Sequence, residues 1–387
     1  MMACCDRRRN IVFAGSEKRE STGRVSVLIV MLGTLLVLAC VSCNKESLPL
    51  DEQLRMALAA ELDKHHIRGA SVAVVFPDES MVLAVAGYSH DTVSIHPDML
   101  FAIGSITKNV EAALILKLAE EGVLDLEDPL HKWLPSFPFV DSTITIRQLL
   151  NHTSGLYMFW DNQRIWDDLK QYRDSIFTPE TVLSYLKAPY FPPGKGYHYS
   201  NTNYLLLAMI ITRATKASLS EEFRRRFWSP LGIGNTFLSM EEELPPKLAH
   251  VWSDNFDNDG SNRDVTFLPR NSHESITYGS SGLFMTAGDL AMWSHKLFGG
   301  EVLSPSSLWQ MLDFGQGGYG LGTGDFGSGL GGRTRAVGHM GGNIGTTAAM
   351  LYSRKYGISL AVMINSYDVK AVSRISGKLG KIILRTL

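Results

Sequence analysis

Apolar positions along the chain follow a helical period in some stretches and a strand-like pattern in others. Over residues 51–67 they keep helical spacing, with Leu54, Leu58, Ala59 and Leu62 on one face, and the pattern ends near Gly69. Two strand-length runs follow, residues 70–76 and 81–86. Between them Pro77-Asp78-Glu79-Ser80 is made of turn formers, which predicts a hairpin. Helical spacing returns over residues 105–121, where Ile106, Val110, Leu114 and Leu118 recur before Gly122 stops the pattern. Ile115 and Leu116 make this helix apolar nearly all round, as expected of an element buried on most sides.

The middle of the chain reads as mainly helical. Thr178-Pro179-Glu180 is a cap followed by proline at the first helical position, predicting a helix to about Lys187. Residues 203–215 form an apolar helix, and Ser220 is the expected cap of another reaching about Trp228. Thr286 with Asp289 gives a capping-box-like start for a helix to Phe298, and Ser304-Pro305 opens one more. Strand-length runs come back at residues 346–353 and 358–364, split by Arg354-Lys355-Tyr356-Gly357, and a last helix covers about 369–384. The glycine-rich stretch 315–332 reads as a loop or hairpin region. Strands at both ends with helices between imply an α+β body whose sheet is closed by the N- and C-terminal parts together.

Composition changes this picture mainly at the N-terminus. Arg7, Arg8, Arg9, Lys18, Arg19 and Arg24 precede an apolar run over residues 25–39, then Cys40 and Cys43 and a polar stretch, the layout of a secretory signal. Val37-Leu38-Ala39-Cys40 resembles a bacterial lipobox, and Cys43 after Val41-Ser42 is a second candidate for lipidation. A plain membrane anchor is the competing reading, since the run extended to Ser42 is just long enough to cross. The expected organisation is an export signal over residues 1–43, a tether over 44–50 and one folded domain over 51–387, held on the outer side of the cytoplasmic membrane, in the periplasm or at the cell surface. All four cysteines, Cys4, Cys5, Cys40 and Cys43, lie in the leader, so the body needs no disulfide and holds no cysteine-ligated zinc. With Lys+Arg 37 against Asp+Glu 39 and no basic run in the body, a nucleic-acid partner is disfavoured.

Three short segments carry candidate chemistry. Ser105 and Lys108 stand three apart at a helix start and so share one face. A serine hydroxyl needs a base to become a nucleophile, and a buried lysine serves if burial lowers its pKa. Backbone N–H groups of the first turn favour developing negative charge. The second segment is Tyr197-His198-Tyr199-Ser200-Asn201, and the third is Gly338-His339-Met340-Gly341-Gly342. Ser-x-x-Lys, then Tyr-Ser-Asn, then His-x-Gly, in this order and at these separations, resembles the serine β-lactamase and penicillin-binding-protein superfamily. The likeness is to its class C-like branch of D-alanyl-D-alanine carboxypeptidases, class C β-lactamases, D-aminopeptidases and related esterases. Leu149 to Leu156, with His152-Thr153-Ser154-Gly155-Leu156, and Gly282-Leu283 with residues 286–290 resemble further signatures of the branch.

The resemblance implies a β-lactamase/transpeptidase-like fold, an antiparallel sheet flanked by helices with a mainly helical inserted region. It implies a serine hydrolase that works through an acyl-enzyme, without metal or cofactor, on a small-molecule, peptide or β-lactam substrate. Ser105 is then the nucleophile, and Lys108 and Tyr199 share the proton transfers. Asn201 orients Lys108 or the substrate amide. His339 begins the strand motif, and Gly341 and Gly342 let substrate lie against it. The backbone N–H groups of Ser105 and Gly342 form the oxyanion hole. Met340 departs from the usual threonine, whose hydroxyl with a preceding cation commonly binds the substrate carboxylate. Methionine offers no such donor, and a neutral His339 carries no charge. This weakens β-lactam hydrolysis and D-Ala-D-Ala carboxypeptidase action and leaves ester or peptide hydrolysis open. A carboxylesterase on the same scaffold and a non-catalytic penicillin sensor are the alternatives.

Other motifs carry less. His152 reads as loop scaffolding near the cleft. Ser154-Gly155 lacks the preceding glycine of a nucleophile elbow. His65 and His66 are adjacent and no His-Glu-x-x-His occurs. Asn255, Asp257, Asp259 and Gly260 echo a calcium loop, but Thr266 stands where its closing glutamate belongs, so a solvated turn is expected. Trp160, Trp166 and Tyr172 either line a substrate cleft or pack an amphipathic helix.

Overall fold

The computed structural model describes residues 48–253, 262–332 and 334–387. The leader with Cys40 and Cys43 and the Asn255–Gly260 turn lie outside the described residues. Residues from Pro49 to Leu387 form one compact unit.

Its framework is a seven-stranded sheet. Helix α1 (Leu50–His65) leads into β1 (Gly69–Val75), β2 (Met81–His90) and the short β3 (Val93–Ser94). From the other end of the chain come β4 (Gly324–Asp325), β5 (Val337–Asn343), β6 (Thr346–Ser353) and β7 (Ile358–Ile364). The spatial order is β3-β2-β1-β7-β6-β5-β4, with every pairing antiparallel. The junction of the two chain ends is the β1–β7 ladder, where Val72 faces Val362 and Val74 faces Leu360.

Both faces of the sheet are covered, and the alternation of side chains divides the core in two. Val72, Val74, Leu360, Val362 and Ile364 meet Leu54, Leu58 and Leu62 of α1 and Val372, Ile375 and Leu379 of the last helix, α5 (Val369–Ile383). Ala73, Val75, Ala361 and Met363 face the opposite way, into the core formed with α4 (Ala287–Phe298) and the helical insertion. Truncating a fully buried leucine such as Leu54 or Leu58 costs about 2–5 kcal/mol in such a core.

The insertion holds α2 (Thr107–Glu120) and α3 (Asn201–Thr215), both buried over most of their length. Two expected boundaries move. The helix opening at Pro179 ends at Leu183, short of Lys187. The helix assigned to a Ser220 cap starts earlier: Ser218 is the cap, accepting from Glu221 N while the Glu221 carboxylate accepts from Ser218 N. It continues through a π-helical turn, Arg224–Trp228. At α4, Thr286 accepts from Asp289 N, but the Asp289 carboxylate accepts from Asn235 N, so the reciprocal half of the capping box is absent.

Candidate active site

Ser105 sits in a single 3-10 turn, Gly104–Ile106, that runs directly into α2. The turn is pinned by Thr107, whose hydroxyl donates to Gly104 O at 2.8 Å and accepts from Leu283 N at 3.3 Å. Gly104 has φ +54°, and a Cβ there would stand 2.4 Å from Gly342 O, so only glycine lets the turn meet β5. From the other side, a Cβ on Gly341 would lie 2.0 Å from Ile103 O and 2.7 Å from Ser105 N. Backbone thus packs on backbone where Ser105 meets Gly342, and both residues border the cleft.

Lys108 lies one turn further on and is fully buried. Its ammonium donates to Ser105 Oγ at 3.0 Å and to Ser280 O at 2.8 Å. Burial pulls its pKa down to about 7, opposed by the carboxyl of Glu111. The amine is then far more readily freed of its proton near neutral pH than that of an exposed lysine, whose pKa is about 10.4. Tyr199 shares a hydrogen bond with Ser105, and burial of its phenol outweighs that bond and raises its pKa above the usual value. Its ring lies 5.1 Å from Lys108 Nζ. Hydroxyl, amine and phenol therefore converge, with the amine the group able to accept a proton near neutrality and the phenol held protonated.

His152 is what places Tyr199. It is fully buried, and its Nδ1 accepts from Ser200 N at 3.2 Å and Asn203 Nδ2 at 2.9 Å, fixing the start of α3. Its ring packs 4.3 Å from that of Tyr199. Burial first, then the nearby Lys108 charge, holds it far below the usual histidine range, so it is a neutral support and no base.

Asn201 is not a partner of Lys108: the lysine's second acceptor is the Ser280 carbonyl. Asn201 opens α3 at the cleft, and its Oδ1 has no hydrogen-bond partner among the described residues. His339 uses both ring nitrogens, Nε2 with the Tyr319 hydroxyl at 2.8 Å and Nδ1 with Met340 O at 2.7 Å. Burial, then the Lys108 charge, pulls its pKa to about 3, leaving it neutral. Met340 is partly buried against the sheet core shared with α5 and also borders the cleft beside His339.

The cleft has two halves flanking Ser105, Tyr199 and Gly342. The larger, about 410 Å³, is walled by Met158, Trp160, Trp166 and Tyr367 on its apolar side and by Asn201, Thr277, Ser281 and Asn343 on its polar side. Both tryptophans line it, their rings 4.6 Å apart, whereas Tyr172 does not. Behind the polar wall Glu274 is buried; burial alone raises its pKa, but His273 and Arg270 outweigh that and keep it ionised. Asn343 Nδ2 reaches toward it at 3.5 Å. The smaller half, about 270 Å³, is lined by Tyr319, Phe326, Met340 and Val369 beside His339, with no lysine or arginine among its described lining residues.

Sequence reasoning did not single out Ser280, Tyr319, Glu111 or Glu274. Only Glu111 had a local signal, an acid on an otherwise apolar helix three residues after Lys108. Thr266, from the calcium-loop echo, accepts from Val251 N at 2.9 Å; the rest of that motif lies outside the described residues.

Sheet, insertion and converging side chains define the architecture of the β-lactamase and penicillin-binding-protein type. Comparison with known proteins agrees. The beta-lactamase family profile matches residues 54–375, and the chain belongs to that family. Penicillin-binding protein 4* of Bacillus subtilis (strain 168) is 33% identical over 196 residues, 49% of this chain and 42% of the relative. Protein flp of Staphylococcus aureus (strain N315) is 31% identical over 193 residues, 48% of this chain and 38% of the relative. The match thus spans less than half the length of these curated relatives. Among solved structures, a D-stereospecific amidohydrolase from Streptomyces sp. superposes with TM-score 0.74 at 27% identity, covering 84% of this chain and 97% of that one. A D-amino acid amidase from Ochrobactrum anthropi SV3, complexed with L-phenylalanine amide, gives TM-score 0.77 at 25% identity, covering 87% and 99%.

Proposed function

We propose that the protein hydrolyses amides or esters through an acyl-enzyme on Ser105. The observation that carries this reading is the 3.0 Å contact between Ser105 Oγ and an amine whose pKa lies at about 7. Ser105 Oγ attacks the carbonyl carbon as its proton passes to Lys108. The carbonyl oxygen takes the charge at the N–H groups of Ser105 and Gly342, donors that each contribute about 3 kcal/mol to such a transition state. Tyr199 gives its proton to the departing group and regains one from Lys108. Water, deprotonated by the same pair, then releases the acyl group and restores Ser105.

The two halves of the cleft bear on the substrate. A neutral His339 with both nitrogens engaged, followed by Met340, offers nothing to hold a carboxylate in the smaller half. That favours a small or apolar, uncharged group there, as in a primary amide or a simple ester, over β-lactams and peptides ending in D-Ala-D-Ala. The aromatic wall and the buried Glu274 carboxylate behind Asn343 favour an amine-bearing group with an apolar side chain in the larger half. The similar D-amino acid amidase points the same way. The test is profiling with D- and L-phenylalanine amide, their N-acetyl forms, p-nitrophenyl butyrate, nitrocefin and a D-Ala-D-Ala peptide. Amide or ester turnover above that of the last two supports the reading, and the reverse order removes it. Stable labelling by a fluorescent penicillin with no turnover of any substrate would instead indicate a sensor.

Export and lipid tethering through Cys40 or Cys43 belong to the same proposal and rest on the leader's residues. Labelled palmitate incorporated by the full chain, and lost on substitution of one of these cysteines by alanine, is the expected result. Incorporation unchanged in both variants would oppose it.

A further inference from the structure

Glu111 is a buried acid that the reaction as described does not use. It stands on α2 one turn beyond Lys108, is fully buried, and neither carboxyl oxygen has a hydrogen-bond partner among the described residues. An isolated polar group in a core costs stability, so an ordinary packing position would carry an apolar side chain. The surroundings leave room for this one. Gly279 packs against it, and a Cβ there would stand 3.2 Å from Glu111 Oε2 and 2.6 Å from Tyr204 O. The next residue, Ser280, is the one whose carbonyl holds Lys108 Nζ at 2.8 Å. One tight turn therefore roofs the carboxyl and anchors the amine. The hydroxyls near it are committed elsewhere, Tyr204 to Leu150 O at 2.9 Å and Tyr278 to Glu241 at 2.5 Å.

We propose that Glu111 is a positioning residue for the reaction: from beneath the nucleophile turn, its carboxyl sets how firmly Lys108 holds a proton. The inference rests on the acyl-enzyme reading and deepens it. Amine and carboxyl hold one proton between them in either of two arrangements, ammonium with carboxylate or free amine with carboxylic acid, so they titrate as a pair. Burial pushes the Glu111 carboxyl well above the usual range, opposed by Lys108, just as Glu111 opposes the lowering of Lys108. The other ionisable groups facing the pair are Tyr204 from α3, Tyr278 with Glu241 behind it from the turn, and Tyr199, His152 and His339 on the cleft side of Lys108. The tyrosines among these are held protonated and the two cleft histidines neutral, the Glu241 carboxylate is bound by Tyr278 and Ser220 N, and Glu111 is the carboxyl whose charge acts on Lys108.

The sign of the effect follows. A carboxylate raises the proton affinity of the amine, so its removal lowers it, and Glu111→Gln frees Lys108 at lower pH. The acid limb of kcat/KM moves down by about one pH unit, read as about a tenfold gain on that limb relative to the plateau. A merely structural role would change the plateau or the melting temperature and leave the limb in place. Glu111→Met, equal in reach and uncharged, gives the same shift and serves if the glutamine variant does not fold. On the unsubstituted enzyme, infrared difference spectra on acylation by a slowly released ester should show a change in a buried carboxylic-acid band. An acid limb unmoved in a folded Glu111 variant that still gives a Ser105 burst, or no carboxyl change on acylation, overturns this inference alone. Turnover persisting in Ser105→Ala would instead overturn the acyl-enzyme reading beneath it.

Discussion

Gly341→Ala tests whether the close meeting of β5 with the nucleophile turn is what makes the oxyanion site. The added Cβ would lie 2.0 Å from Ile103 O, 2.7 Å from Ser105 N and 2.9 Å from Ile106 N, all backbone atoms that cannot rotate aside. Restoring ordinary contact at 3.4 Å requires the strand and the turn to part by about 1.4 Å. That is enough to take one of the two N–H donors out of reach of a developing oxyanion, a loss of about 100- to 1,000-fold in kcat, or about 3–4 kcal/mol. Gly342→Ala is the internal control. Its Cβ meets Tyr367 Cε2 at 2.5 Å, but Tyr367 is 50% exposed, so its ring can swing into solvent. Its loss should stay below about tenfold, since no donor need move. Burst kinetics with a p-nitrophenyl ester, with melting temperature measured alongside, separate the two variants. A folded Gly341→Ala enzyme with kcat within about threefold of the parent would refute the argument that this contact builds the oxyanion site.

Other outcomes follow from the same geometry. With Lys108 near 7 and the free amine as acceptor, kcat/KM should climb about tenfold per pH unit below 7 and level off above it, and Tyr199, raised by burial, should cause no alkaline fall before pH 10; a limb centred near 5 in the pH profile contradicts this. Asn109 accepts from Trp293 Nε1 at 3.0 Å and donates to Thr323 Oγ1 at 2.9 Å, tying α2 to α4 and the glycine-rich loop. Asn109→Ala should therefore destabilise by about 1–3 kcal/mol in denaturant melts, largely by orphaning the indole N–H. Met340→Lys places a cation at the rim of the smaller cleft half, and should shift the ratio of kcat/KM for a carboxylate-ended peptide over a neutral ester upward by about 10-fold or more, with no change if that half does not hold substrate.

The sheet and its helices were legible because their signals are local. Leu54, Leu58 and Leu62 repeat at helical spacing, and the runs of β6 and β7 are apolar at strand length, so both were placed within a residue or two. The Ser218 cap was also readable in principle, since Ser218 and Glu221 have capping-box spacing, but Ser220 is as good a cap by residue type alone. The helix at Pro179 stops early without any breaker in its sequence. Within the site, the order of Ser105, Lys108, Tyr199 and the β5 motif was enough to bring those residues together on paper. What escaped depends on contacts distant in sequence: Ser280 O on Lys108 across 172 residues, and Tyr319 on His339 out of a loop with no regular period. Asn201 was expected to orient either Lys108 or the substrate amide; the Ser280 carbonyl holds Lys108, and Asn201 lines the cleft.

Mass spectrometry of the trapped intermediate tests the central claim most directly. The full chain is mixed with a slowly released p-nitrophenyl ester, quenched in acid and digested. One acyl group per chain on the peptide bearing Ser105, absent from Ser105→Ala along with turnover, is the predicted result. Acyl mass on another residue, or hydrolysis at an unchanged rate by the alanine variant, would contradict it.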